Sequence, residues 1–378
     1  MRDPRIDKLA NVLVNYSVAI RKDDLVRISG SPTSEALILA VYREVIAAGG
    51  HPVVRMAPDE CQEVFLKTAS DRQLNYVSPL AKYEVSTINA SIGIWSESNT
   101  KALSNTDPKR QATASRARKP ILDLFFKRAA ARGKAKLRWT GTMFPNPASA
   151  QDAEMSLAEY EAFVYGAGKL DARDPAAEWR KLSAAQQRAC DALNRAKEVR
   201  FVTPQGTDLR LGVAGRRWIN CDGHENFPDG EVFTGPIEDA TDGIVCYSFP
   251  AVHGGREVHD IRLRFRAGRV VEASASKNED FLIKMLDQDK GARVLGELAI
   301  GTNYAIRQYT RNTLFDEKIG GTFHCAVGAA YPETGGKNKS GLHWDMVCDL
   351  RKGGRIEADG KVISKDGRFV DRRWPQPA

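Results

Sequence analysis

His343 and Asp345 stand one residue apart in the stretch LHWDM. A strand through HWDMVCDL turns both to one side, because side chains alternate faces along extended backbone, and sends Trp344 the other way into packing. The pair can share one divalent ion; an ordinary hydrogen-bonded His-Asp pair fits the same spacing. A second stretch, DEKIGGTFHCAVG, brings Glu317 and His324 together across a Gly-Gly bend. Here the competing reading is a buried imidazole with a backbone partner and a glutamate in water. Glu231 in NFPDGEVFTGP and Glu297 in RVLGELAIGTN are carboxylates in apolar, turn-rich settings, Glu297 at the end of an apolar helix; either can instead cap a turn. Taken together, four carboxylates and two imidazoles match what two divalent ions require: hard oxygen donors, borderline nitrogen donors and one carboxylate able to bridge.

Elements elsewhere must bring these groups together. The stretch DLVRISGSPTSEALILAVYREVIAAGGHPVVRMAP reads as a strand at Leu25 to Ser29, a turn, a helix from Ser34 to Ala48 and a strand from Pro52, a β-α-β unit. Leu37, Ile38, Val41, Val45 and Ile46 form the helix's apolar face and Gly49-Gly50 its stop. The SGSP turn lacks both the GxGxxG spacing and the lysine of a phosphate loop. ASIGIW, residues 90–95, adds a strand, and helices are expected over 120–132 and 156–166, the latter with a Ser156/Glu159 capping box. A long helical pattern with Pro175 in its first turn follows. Beyond Glu198, short alternating stretches and glycines predict antiparallel strands and hairpins, interrupted by one helix from Glu279 to about Gly296. The fold class expected is α/β: an N-terminal α/β domain, residues 1–196, with a mainly parallel sheet, and a C-terminal α+β domain, residues 197–378, rich in antiparallel strands and carrying the metal site.

A chain of 378 residues buries enough surface for two domains without disulfides. Its six cysteines show no CxxC and no zinc-finger spacing, which predicts reduced thiols and a cytoplasmic protein. No apolar run reaches the roughly 20 residues of a membrane helix, and the charged N-terminus has no secretory core, so the protein is expected to be mature from Met1. The net charge of +8 is concentrated in residues 101–139. A solvated helix face accounts for that segment, and no nucleic-acid motif accompanies it.

The ordered set PDGEVF.GP, LGELAIGTN, NTLFDE, H.A.G.AYPETGG and LHWDMVCDLR resembles the M29 family of metallo-aminopeptidases, the aminopeptidase T group, through the whole C-terminal half, with DPRIDKLANVLVNYS and VRISGSP fitting at the N-terminus. The resemblance implies metal ligands at Glu231, Glu297, Glu317, His324, His343 and Asp345, with Glu297 bridging two divalent ions (Zn, Co, Mn or Mg). It also implies catalytic roles for Glu231 or Glu297 as proton acceptor and for Tyr331 beside the metals, peptide substrates with a free N-terminus, and a homodimer. One departure falls on Glu317: its stretch to His324 runs longer, and that from Glu297 to Glu317 shorter, than in the family pattern. A rival reading uses His324, His343 and Asp345 alone as an Fe(II) triad of a mononuclear ring-cleaving dioxygenase, leaving the three glutamates unexplained. A third takes residues 101–139 as a basic nucleic-acid-binding surface.

Overall fold

The computed structural model describes residues 3–377, which divide into two compact units, residues 3–176 with 223–227 and residues 177–222 with 228–377. The first is built on a parallel sheet. Strands β1 (Leu25–Gly30), β2 (His51–Met56), β3 (Ala90–Trp95) and β4 (Arg138–Met143) lie in the order β2-β1-β3-β4, and residues 226–227 add a fifth strand beside β4. Val26, Ile28, Ile92 and Ile94 are buried on it. Helix α1 (Glu35–Ala47) buries Leu37, Ile38, Val41 and Val45. It stops as the sequence predicts: Gly49 takes φ +82°, and the Gly50 N–H returns to Val45 O at 2.9 Å, a left-handed cap that glycine adopts without strain. The Ser156/Glu159 capping box is also formed.

The basic segment folds into helix α2 (Pro108–Ala129), which begins well before the expected Pro120. Asp107 caps it by accepting from Lys109 N, Pro108 occupies the first turn, and Pro120 is accommodated within the helix on an exposed face. Some of its charge has structural use. Arg110 donates to the carbonyls of Leu66 and Ala69, and Arg128 to those of Val85 at 2.8 Å and Ile88 at 2.6 Å. These carbonyls close the helices Glu60–Thr68 and Pro79–Thr87, whose last C=O groups have no partner within their own helix.

Helix α3 (Pro175–Leu193) buries Ala189, Cys190 and Leu193 in the core of the second unit. The division between units falls in the first turn of this helix, between residues 176 and 177, whereas the sequence boundary at 196/197 follows it. The second unit contains an eight-stranded antiparallel sheet and a five-stranded one. The latter comprises β5 (Ile219–Cys221), β6 (Glu231–Thr234), β7 (Leu295–Gly301), β8 (Thr322–Gly328) and β9 (His343–Asp349), in the order β9-β8-β7-β6-β5. Phe201 of the larger sheet stacks on Phe323 of β8 with ring centroids 4.1 Å apart, inside a common core.

One expectation is corrected here. Helix α4 (Glu279–Leu286) does not run on to Gly296. Asp289 Oδ1 accepts from the N–H of Gly291 and of Ala292, turning the chain, and the apolar run that follows is strand β7, paired with β6 on one side and β8 on the other. Glu297 is therefore a strand residue and not the end of a helix.

Candidate metal centre

The five-stranded sheet presents the site on one face and the core on the other. Val232, Leu298, Ile300, Phe323, Cys325, Val327, Trp344, Met346 and Cys348 belong to the core. The alternate positions carry Glu231 on β6, Glu297 on β7, His324 on β8 and His343 and Asp345 on β9. Registration finishes the arrangement. Glu297 lies opposite Ala326, which lies opposite Asp345, and His324 lies opposite Ala299. Alanine at both intervening places leaves room for the long polar side chains to converge. Trp344 points into the core as the strand period requires, against His253 and Phe281.

The atoms that meet are specific. Glu297 sends Oε1 to His324 Nε2 at 3.4 Å and Oε2 to His343 Nε2 at 3.3 Å. Glu231 Oε2 reaches His324 Nε2 at 3.5 Å, and Asp345 Oδ2 reaches His343 Nε2 at 3.6 Å. Glu317, at the end of the short helix Thr313–Asp316, offers an oxygen that groups with atoms of His324 and Asp345 within 4.8 Å. All six sequence-designated ligands thus lie in three overlapping groups: Glu231/Glu297/His324, Glu297/His343/Asp345 and Glu317/His324/Asp345. The three-residue Fe(II) reading leaves Glu231, Glu297 and Glu317 around these same imidazoles without a role. The remaining histidines lie elsewhere: His253 packs on Trp344, His259 faces Glu257, His51 is exposed and His224 lies against Tyr16.

Burial opposes ionisation of Glu297, but its two imidazole neighbours outweigh it and hold the carboxyl at about 2. The imidazoles respond in kind. His324 is raised to about 9 and His343 to about 10, burial being overcome by Glu297 together with Glu231 for the first and Asp345 for the second. Asp345, buried and flanked by Glu317 and Glu297, is pushed well above the ordinary carboxylate range. Burial likewise raises Glu231, against the pull of Lys318 and His324.

The cluster fits metal better than it fits itself. Buried charged hydrogen bonds close to about 2.7–2.9 Å, yet these nitrogen-oxygen pairs stand at 3.3–3.6 Å. Two ligand atoms each about 2.1 Å from one tetrahedral ion lie roughly 3.4 Å apart. Among the described residues, Glu231 Oε2, both ring nitrogens of His324 and Asp345 Oδ1 are buried without a hydrogen-bond partner. Each such orphan costs about 1–3 kcal/mol; a shared cation satisfies several at once. His343 is already oriented, its Nδ1 placed 2.9 Å from Ala329 O to donate there, which turns Nε2 to the cluster.

A pH consequence follows. In the metal-free protein both imidazoles, raised above neutrality, hold their protons at pH 7. An entering cation must displace them. Zn(II) uptake at pH 7 is therefore expected to release protons, seen as a calorimetric heat that changes with the ionisation enthalpy of the buffer. Apparent affinity rises with pH until it passes about 10. Uptake without proton release would contradict this.

Two neighbours complete the site. Tyr331, 43% exposed, sets its ring edge-on to His343 and to Phe233, with centroids at 5.3 and 5.5 Å. Lys318 was not singled out from the sequence. It is 2% exposed and contacts Glu231 Oε1 at 2.9 Å and Glu317 Oε2 at 2.6 Å. Its only sequence signal is a charged residue two positions before the Gly320-Gly321 bend, next to Glu317.

The profile of the family described as Thermophilic metalloprotease (M29) matches residues 2–369. Aminopeptidase T of Thermus aquaticus is 33% identical over 309 residues, 71% of this chain and 72% of that protein. Aminopeptidase AmpS of Bacillus subtilis is 30% identical over 273 residues, 64% of each chain, so slightly less than two thirds of that relative is spanned. In three dimensions the chain is similar to wild-type AmpT from Thermus thermophilus, with TM-score 0.84 and 26% identity over 97% of this chain and 99% of that one.

Proposed function

Because the chain belongs to the M29 family of metalloproteases, we propose that it is a metal-dependent aminopeptidase, removing N-terminal residues from peptides with a free amino end. The observation that carries the reading is Glu297, whose two oxygens each face a different imidazole, as a carboxylate shared between two ion places would. Glu231, Glu297, Glu317, His324, His343 and Asp345 are the residues that would hold two divalent ions, zinc, cobalt, manganese or magnesium. Such ions, when bound, supply Lewis acidity to a peptide carbonyl and lower the pKa of water.

The chain's own groups do the rest. Glu231 Oε2, buried and with no hydrogen-bond donor among the described residues, accepts the proton of the attacking water and returns it to the amide nitrogen, which leaves as a free amine when the C–N bond breaks, while Lys318 holds the other carboxylate oxygen in place. The Tyr331 hydroxyl stays protonated, since the partial burial of its ring and the surrounding carboxylates raise it above its ordinary range, and donates to the carbonyl oxygen as that atom takes up the negative charge of the tetrahedral intermediate. Tyr331→Phe is accordingly expected to lower kcat by about a hundredfold with little change in KM. A raised KM with kcat unchanged would assign the residue to substrate binding instead. All six cysteines are unpaired, which supports a reducing, cytoplasmic setting; a homodimer rests on the family resemblance alone.

The test is a panel of aminoacyl arylamides, each with its N-acetylated counterpart, assayed with Zn(II), Co(II), Mn(II) or Mg(II) added to metal-free protein. Metal-dependent cleavage of the free-amine compounds alone is expected. Cleavage of blocked compounds at the same rate would overturn the exopeptidase reading.

A further inference from the structure

Lys318 lies where a lysine is costly. A buried ammonium persists when carboxylates surround it closely, and here Glu231 of β6 and Glu317 of the turn before β8 do so, each giving it one oxygen. Glu231 has only Oε2 left to offer toward His324. The other end of the cluster differs. Among the described residues no lysine or arginine pairs with Glu297 or Asp345, and the atoms of Glu297, His343 and Asp345 face one another. One candidate ion place is thus bordered by an internal cation and the other is not.

We propose that Lys318 makes the two ion places unequal: one ion is held tightly between Glu297, His343 and Asp345, while the place bordered by Glu231, Glu297 and His324 is weakened by the ammonium already engaging Glu231 and Glu317. The inference rests on the metal-dependent reading above and adds an order of filling to it. The cause is twofold. The ammonium occupies lone pairs that a second ion needs, and it repels that ion at close range, where little water intervenes to screen it. The chain thereby carries part of the positive charge that this cluster of carboxylates calls for.

Metal-free wild type and the variants Lys318→Gln and Lys318→Met are titrated with Zn(II) by calorimetry and with Co(II) by visible absorption, and metal content is measured after dialysis. In the wild type one ion per chain is expected to survive dialysis, with the second bound at least about tenfold more weakly. Both variants are expected to bring the two affinities together and to retain two ions. Equal affinities in the wild type, or inequality unchanged in a folded variant, would overturn the proposal. If neither variant folds without metal, the wild-type titration decides alone. The two readings fail separately: ordered filling without arylamide cleavage removes the peptidase, and cleavage with two equal ions removes the role of Lys318.

Discussion

Glu297→Gln is expected to reduce metal-dependent hydrolysis by about a thousandfold or more and to leave the purified protein largely without bound metal. The reason is the position of the side chain and not its acidity alone. Each oxygen of Glu297 faces one imidazole, so an amide in its place must turn an NH2 group toward one of them. A neutral oxygen is also a poorer ligand than a carboxylate for a hard cation. Because the residue is 5% exposed, water cannot substitute for the missing oxygen. Metal content and turnover should fall together, with the far-ultraviolet circular dichroism unchanged. A folded Glu297→Gln variant that keeps its metal and its rate would remove the cluster from the chemistry.

Gly296→Ala is the second large effect, and it touches no proposed ligand. A Cβ at this position would lie 2.0 Å from Ala329 O and 2.4 Å from Gly328 O. Both are backbone atoms, which cannot rotate away as a side chain can. The pairing of β7 with β8 is already irregular here, its register shifting between Leu295 and Glu297, and the added methyl must push the strands apart beside the residue that faces both histidines. A loss of about 3 kcal/mol is expected, or a melting temperature lower by roughly 6–12 °C, together with weaker metal binding. Gly166→Ala is the control. A Cβ there meets nothing within 4 Å, so stability should hold or rise slightly. Equal behaviour of the two variants would mean that the Gly296 contact is relieved elsewhere.

How far the sequence could be read depended on which faces of each element are covered. His343 and Asp345 could be placed on one side because β9 alternates between core and site, and the β-α-β beginning was readable from one apolar helix face ended by Gly49. Glu297 was misassigned to a helix end for the opposite reason. Every residue of β7 is buried, so LGELAIG has no period of two and continues the apolar pattern of α4. The early start of α2 was hidden because a proline is at home in a first turn, and both Pro108 and Pro120 qualify. Lys318 was out of reach. Whether a lysine beside a glutamate lies in water or under a sheet depends on contacts made with β6, far away in the chain, and no local spacing records them.

The short strand at residues 226–227 constrains how this protein can be divided. It is encoded between β5 and β6, yet it pairs in parallel with Gly141 and Thr142 of β4. A fragment ending at residue 176 would therefore leave one margin of the parallel sheet bare, open to pairing with another molecule. A fragment beginning at residue 177 would carry the missing piece as an unpaired loop between β5 and β6. Grafting either half onto a relative needs three junctions, with the small detour travelling alongside the N-terminal portion.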